Sequence, residues 1–271
     1  MADPAAITVG KAALLGSIQG LTEFLPVSSS GHLALAGHVL GTRQSDITLE
    51  ILVHLATLLA VVVYYWRDVA ALVRFWLITV WRSADRMADP LMRLSLALVM
   101  GTIVTVAVVF PLKDTLESVF DMPRVVGLML LVTALLLALT LLRRGESQGN
   151  PEIGVLAAAL IGLVQGLAAT PGISRSGSTI AMALLLGIAR PEAARFSFLL
   201  SVPAILGAAL LKIRDFEEVT LGAAPMAVAF VTSAVVGFLA LWALVGFVRR
   251  GRLAWFAPYC AAVGLAAILF A

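Results

Sequence analysis

Six runs of this chain contain no Asp, Glu, Lys or Arg and are almost wholly apolar: residues 51–66, 94–111, 125–142, 196–211, 226–248 and 255–271. A bilayer core is crossed by roughly 20 helical residues. Runs of this composition and length therefore belong in lipid. Lipid offers no water to satisfy backbone N–H and C=O groups, so the spans are helices. A membrane β-barrel needs short segments of alternating hydrophobicity, and the sequence has none. Composition agrees, with 61% hydrophobic and 13% charged residues and a mean hydropathy of +1.03. That balance excludes a soluble domain. The formal net charge of +3 fits Lys and Arg that set topology rather than a nucleic-acid surface. The single cysteine, Cys260, excludes an internal disulfide and any cysteine-based metal site. The start, Met-Ala-Asp-Pro, lacks a basic region, and the first apolar stretch carries Gln19 and Glu23. It is not expected to be a cleaved signal peptide.

Two further stretches, residues 7–40 and 153–186, are apolar but interrupted by polar motifs. One motif is Gln19-Gly-Leu-Thr-Glu-Phe-Leu-Pro-Val-Ser-Ser-Ser-Gly-His32-Leu33. The other is Gln165-Gly-Leu-Ala-Ala-Thr-Pro-Gly-Ile-Ser-Arg-Ser-Gly-Ser178-Thr179. They align without a gap at an offset of 165 − 19 = 146. Gln, Gly, Leu, Ser, Ser and Gly coincide, as do Ala12, Ala13, Leu14 and Gly16 with Ala158, Ala159, Leu160 and Gly162. Each motif is broken halfway, at Pro26 and at Pro171-Gly172. Proline removes a backbone donor and clashes with the preceding turn, so each stretch reads as two half-helices. A pair that enters and leaves on one side is a re-entrant hairpin. Such a break survives only where protein or water buries it.

Lys and Arg give the orientation. Residues 67–93, 143–144 and 249–252 are rich in Arg and read as cytoplasmic. Residues 113–124 and 212–218 balance bases with acids and read as external. Within 67–93, Arg67, Arg74, Trp76, Trp81, Arg82 and Arg86 predict an interfacial amphipathic helix and a loop. Three spans between the motifs would invert the second copy relative to the first. The expected architecture is an all-α polytopic membrane protein. It is one domain, an inverted-topology repeat of residues 1–142 and 153–271 joined by a cytoplasmic linker at 143–152. It has six transmembrane helices and two re-entrant half-helix hairpins.

The motifs carry chemistry. A half-helix start attracts anions through its unpaired N–H groups and dipole. Arg175 offers a fork matched to phosphate oxygens, and Ser174, Ser176, Ser178 and Thr179 add hydroxyls. An Arg at membrane depth costs at least ~2.5–3.5 kcal/mol, so an anion should offset it. In the first motif, Gln19 and Glu23 share a helix face. Ser29 and His32 can share one too, which is a nucleophile–base arrangement. The imidazole could instead attack phosphorus or protonate a leaving group. Glu23 could bind a hard cation or orient His32. Ser28 and Ser30 read as caps or hydrogen-bond donors. Glu50, His54, His38 and Ser201 read as packing or interface groups.

At these two motifs the chain resembles the undecaprenyl-diphosphate phosphatase family of integral membrane enzymes, linked to bacitracin resistance. Arg195-Phe-Ser-Phe-Leu-Leu-Ser-Val-Pro203 resembles the family's following helix. The resemblance covers essentially the full length. It implies hydrolysis of a polyprenyl diphosphate to the monophosphate and inorganic phosphate, which recycles the lipid carrier of cell-wall synthesis. It also implies a divalent cation (Mg²⁺ or Ca²⁺), a bacterial plasma-membrane location and a site on the extracytoplasmic side. By position, Ser29 resembles the nucleophile, His32 the acid/base or alternative nucleophile, Glu23 a catalytic carboxylate and cation ligand, and Arg175 the phosphate-binding Arg. Ser28, Ser174, Ser176 and Thr179 would support phosphate. Gln19 stands where some members have Glu; it can ligate a cation through its carbonyl but brings no charge. The rival reading is a lipid-phosphate flippase that uses the same cavity without hydrolysis.

Overall fold

The structure, a computed structural model, describes residues 7–40, 47–79, 89–143, 149–212 and 222–270. Among them the chain forms eleven α-helices and no β-strand. The first motif region gives α1 (Val9–Phe24) and α2 (Ser29–Leu40). There follow α3 (Ile47–Tyr64), α4 (Trp66–Arg74), α5 (Pro90–Ser118) and α6 (Pro123–Leu139). The second motif region gives α7 (Val155–Leu167) and α8 (Arg175–Leu185). The chain ends with α9 (Arg190–Lys212), α10 (Ala223–Arg249) and α11 (Ala257–Phe270).

Both expected breaks are present. α1 stops at Phe24, two residues before Pro26, and α2 begins at Ser29. α7 stops at Leu167 and α8 begins at Arg175, with Pro171-Gly172 between them. The helices over 94–111, 125–142, 196–211, 226–248 and 255–271 are long and apolar enough to cross a membrane. The run at 51–66 falls mostly in α3, which qualifies only together with α4 after an 81° bend. The protein is thus multi-pass, with five such helices or six if the bent pair counts as one. α4 has no buried residue and leaves Trp66 exposed, as suits an interfacial helix. Trp81, Arg82 and Arg86, the loop expected at 212–218 beyond its first residue, and residues 144–148 of the 143–152 linker lie outside the described residues.

The external loop expected at 113–124 is shorter than the charge pattern implies. α5 runs on through Pro111 to Ser118, and a turn at Val119–Asp121 leads into α6. Positions 113, 114 and 117 fall in the last turns of α5 rather than in a coil. α9 likewise starts at Arg190, upstream of the expected span. Its early charges are satisfied locally: Arg195 donates to Asp68 of α4 and to Glu192.

Helix pairing decides where the motifs sit. α1 packs along α10, and α7 packs along α5. Each motif-bearing helix therefore lies against a long helix from the other half of the chain. Small residues permit this. A Cβ on Gly16 would come within 2.5 Å of the Ala229 carbonyl oxygen, and one on Gly20 within 2.6 Å of the Ser233 oxygen. Close backbone approach of this kind drives helix association where lipid supplies no hydrophobic force. The inner core gathers Phe24, Ile161, Ile180, Phe196, Phe198, Leu200, Leu241 and Leu244, all fully buried. The outer surface is apolar as well: Val99, Ile103, Phe110, Leu135, Leu156, Leu239 and Trp242 are exposed. An apolar exterior is the signature of a lipid-facing surface.

Candidate active site

The two breaks meet. Ser28, in the first, has a left-handed backbone (φ 70°), a conformation that costs a non-glycine residue energy unless its surroundings fix it. Its Oγ accepts from Gly31 N at 3.3 Å, which caps α2, and from Gly172 N of the other motif at 3.1 Å. Ser174 plays the matching part in the second break. It N-caps α8, accepting from Gly177 N at 3.1 Å. Ser176 donates to the Phe24 carbonyl, again across the motifs, at 2.9 Å. Two neighbouring helices brace the breaks from behind. Thr133 of α6 donates to the Gly172 oxygen and accepts from Ser174 N, both at 3.0 Å. Cys260 of α11 donates to the Pro26 oxygen at 3.3 Å. Gly172 has φ +96°, and a side chain there would strike the Val126 carbonyl of α6.

This stitching brings the charged residues together. The buried Glu23 carboxylate is the hub. Its Oε2 accepts from Gln19 Nε2 at 3.1 Å and from Ser29 Oγ at 2.7 Å. Its Oε1 accepts from Arg175 Nη2. His54 Nε2 lies 3.8 Å from Oε2. The anion that offsets the intramembrane Arg175 is thus the protein's own Glu23. Arg175 still has one donor, Nη1, that is buried without a partner; Ser178 Oγ and Gln19 Oε1 are in the same condition. Gln165 Oε1 of the second motif is unpartnered too; buried polar atoms rarely stay unpaired, and of the four, Arg175 Nη1 and Gln19 Oε1 belong to side chains that already sit on Glu23.

His32 is held apart from this hub. Nδ1 lies 2.8 Å from the Ser28 carbonyl and Nε2 lies 2.8 Å from the Tyr259 hydroxyl. Ser29, expected to share a helix face with His32, bonds Glu23 instead. The reason is local: the His32 imidazole folds back onto the carbonyl one helical turn before it, as His54 does on Glu50, while Ser29 Oγ faces Glu23 of α1. Ser28, Ser174, Ser176 and Thr179, expected on phosphate, are bonded within the protein. Ser174 pairs with Ser176 at 3.3 Å, and Thr179 bonds the Arg175 carbonyl at 2.8 Å and Ser197 Oγ at 2.5 Å. Their hydroxyls shape the two helix starts.

His54, Tyr259 and Thr133 stand at the site although sequence reasoning assigned them to packing or passed over them. His54 and Thr133 carried one usable signal: each is a hydrogen-bonding side chain in an otherwise apolar run. Tyr259 carried none, since a tyrosine near a span end reads as an interfacial anchor.

A cation can be tested against the donor set. Among the described residues no group of three or more His, Cys, Asp or Glu could hold a metal. Glu23 and the unpartnered Gln19 Oε1 are hard oxygen donors. Such a pair suits Mg²⁺ or Ca²⁺ only when phosphate oxygens complete the shell.

The sequence profile of the family described as bacitracin resistance protein BacA matches residues 12–266. Three curated relatives, each named undecaprenyl-diphosphatase, are similar over nearly the whole chain. That of Desulfosudis oleivorans is 43% identical over 266 residues, covering 93% of this chain and 94% of its own. That of Desulforapulum autotrophicum is 39% identical over 274 residues, covering 94% and 96%. That of Methanosphaera stadtmanae is 35% identical over 268 residues, covering 95% and 96%. With both motifs inside the matched region, the chain belongs to the bacitracin resistance protein BacA family.

Proposed function

We propose that this protein hydrolyses undecaprenyl diphosphate, or a similar polyprenyl diphosphate, to the monophosphate and inorganic phosphate. The observation that carries the reading is the Glu23–Ser29–Arg175 cluster, in which one carboxylate accepts from a serine of its own motif and an arginine of the other. Simple binding of a phosphate needs the arginine but not a serine poised on a carboxylate.

The terminal phosphate takes the free Arg175 Nη1 and Ser178 Oγ, with the shaped starts of α2 and α8 adding backbone N–H groups. As the phosphate draws Arg175 toward itself, Glu23 loses part of its cationic partner and becomes a better base. Ser29 Oγ attacks the terminal phosphorus while Glu23 takes its proton. The P–O bond to the bridging oxygen breaks, and polyprenyl monophosphate leaves. Water then attacks the phosphoseryl phosphorus, with His32 as the acid–base group. Inorganic phosphate departs and Ser29 regains its proton. Gln19 and Glu23 would hold a divalent cation together with the diphosphate oxygens. When bound, it neutralises charge that develops on the leaving group.

Residues 1–142 and 153–271 form two inverted repeats, a reading supported by the reciprocal packing of α1 on α10 and α7 on α5 and by the matching Ser28 and Ser174 caps. α1–α2 and α7–α8 are the re-entrant pairs. The protein lies in the plasma membrane with its Arg-rich loops in the cytoplasm and its site open to the extracytoplasmic side.

Phosphate release from a polyprenyl diphosphate in detergent, with added Mg²⁺ or Ca²⁺, tests the reading. Glu23→Ala and Arg175→Ala should lose at least ~100-fold, as expected for groups acting on developing charge. Ser29→Ala should be as inactive, and His32→Ala should retain a slow release. Full activity in Ser29→Ala with none in His32→Ala would transfer the attack to the imidazole. No release from intact substrate would instead favour a protein that only moves the lipid.

A further inference from the structure

Tyr259 is not part of either motif, yet it touches His32, the first motif's acid–base candidate that lies apart from Glu23. Its hydroxyl lies 2.8 Å from His32 Nε2. The two rings are nearly parallel, 9° apart, with centroids 5.7 Å from each other. The other ring nitrogen, Nδ1, lies 2.8 Å from the Ser28 carbonyl oxygen. A carbonyl only accepts, so Nδ1 carries a proton. In the neutral ring Nε2 is then the lone-pair nitrogen, and the Tyr259 hydroxyl donates to it.

Both anchors of the imidazole are themselves fixed. Ser28 is held through its Oγ by Gly31 N and Gly172 N, and its carbonyl also accepts from His32 N at 3.1 Å. Tyr259 is tethered through its neighbour Cys260, whose thiol bonds the Pro26 carbonyl. Two successive residues of α11 therefore grip the first motif, one at its break and one in the half-helix that follows. Nothing else in the geometry demands a hydroxyl at 259. A phenylalanine would stack as well on the imidazole, and the ring's outer face is half exposed.

We infer that Tyr259 is a positioning residue for His32: it sets the tautomer and plane of the imidazole and keeps Nε2 as the lone-pair nitrogen in the resting site. The inference rests on the reading of His32 as an acid–base group. A hydroxyl held on Nε2 blocks stray protonation of that nitrogen and releases it when substrate arrives. Tyr259 is not proposed to touch phosphate.

The full-length protein in detergent, labelled with ¹⁵N-histidine, gives a direct test, because the chain has only three histidines. In the unsubstituted protein the His32 ring should show a protonated Nδ1 and an unprotonated Nε2. Tyr259→Phe keeps the stacking and removes the hydroxyl. It should move the Nε2 resonance and lower kcat about three- to ten-fold, the effect of one lost hydrogen bond, with KM within about two-fold. In a His32→Ala background the same substitution should change nothing further. An unmoved Nε2 resonance, an unchanged kcat, or an added loss in the His32→Ala background would each overturn the inference. Full activity in His32→Ala alone would mean that the acid–base reading of His32 has failed, and the Nε2 resonance would still report whether the Tyr259 contact exists.

Discussion

Glu23 holds four neighbours with one carboxylate, and the balance among them sets the chemistry. Arg175 is its strongest partner, a buried ion pair whose disruption by truncation typically costs about 3–5 kcal/mol. Arg175→Ala therefore confounds stability with catalysis. Arg175→Lys keeps the charge and the pairing but lacks the planar fork that can serve Glu23 and a phosphate at once. That variant should stay folded, with a thermal midpoint close to the parent's, and should lose phosphate release by at least ~10-fold. Gln19→Glu offers a second test. It replaces the amide that donates to Glu23 at 3.1 Å by a like charge, which a divalent cation would relieve. The cation concentration for half-maximal activity should fall, by roughly three-fold or more, in a titration with EDTA-stripped protein. An unchanged titration would remove Gln19 from the cation's shell. At this scale Gln19, Glu23, Ser29 and Arg175 were legible in the sequence, because each is an expensive group inside an apolar segment, whereas His54 read as a packing group. Their pairing was not. Spacing placed Ser29 and His32 on one helical face, but Glu23 takes the serine and the Ser28 carbonyl and Tyr259 take the imidazole, partners that no periodicity argument supplies.

The half-helices exist because proline ends one turn and serine starts the next, and this much can be read from residue order. What holds the halves in place is the contact of α1 with α10 and of α7 with α5, made through glycines that bring backbones together. Gly20→Val would drive a side chain into the Ser233 carbonyl and Gly237 nitrogen. Neither can retreat without moving α10. The substitution should cost about 3 kcal/mol, the upper part of the usual overpacking range, seen as a lower melting temperature in detergent. Gly246, also on α10, has open space where a Cβ would go. Gly246→Ala should instead stabilise by about 0.5–1 kcal/mol, the helix-propensity difference. If both substitutions behaved alike, the packing of α1 on α10 would not be as described. The charge pattern also misplaced the ends of α5 and α9. Charged residues at a span's edge can prolong a helix into the interface as readily as they can end it, and local partners such as Asp68 for Arg195 decide.

Among the described residues, apolar side chains both fill the core and cover much of the surface, and the polar cluster is buried between the two breaks. The proposed orientation can be checked with single cysteines, since the native Cys260 is buried. Lys113→Cys should react with a membrane-impermeant maleimide in intact cells, and Arg250→Cys only after permeabilisation. The reverse pattern would overturn the assignment of the Arg-rich loops to the cytoplasm. The sequence by itself determined the class of the protein, its apolar spans, the two breaks and the inventory of polar groups, because each follows from the cost of a residue type in lipid or in a helix. Only the tertiary structure decided how the inventory is divided. It placed Glu23 between Ser29 and Arg175, drew His54 to the same carboxylate and set Tyr259 on His32. Those contacts join residues far apart in the chain, and they depend on how closely helices approach one another. Local sequence carries no measure of that distance.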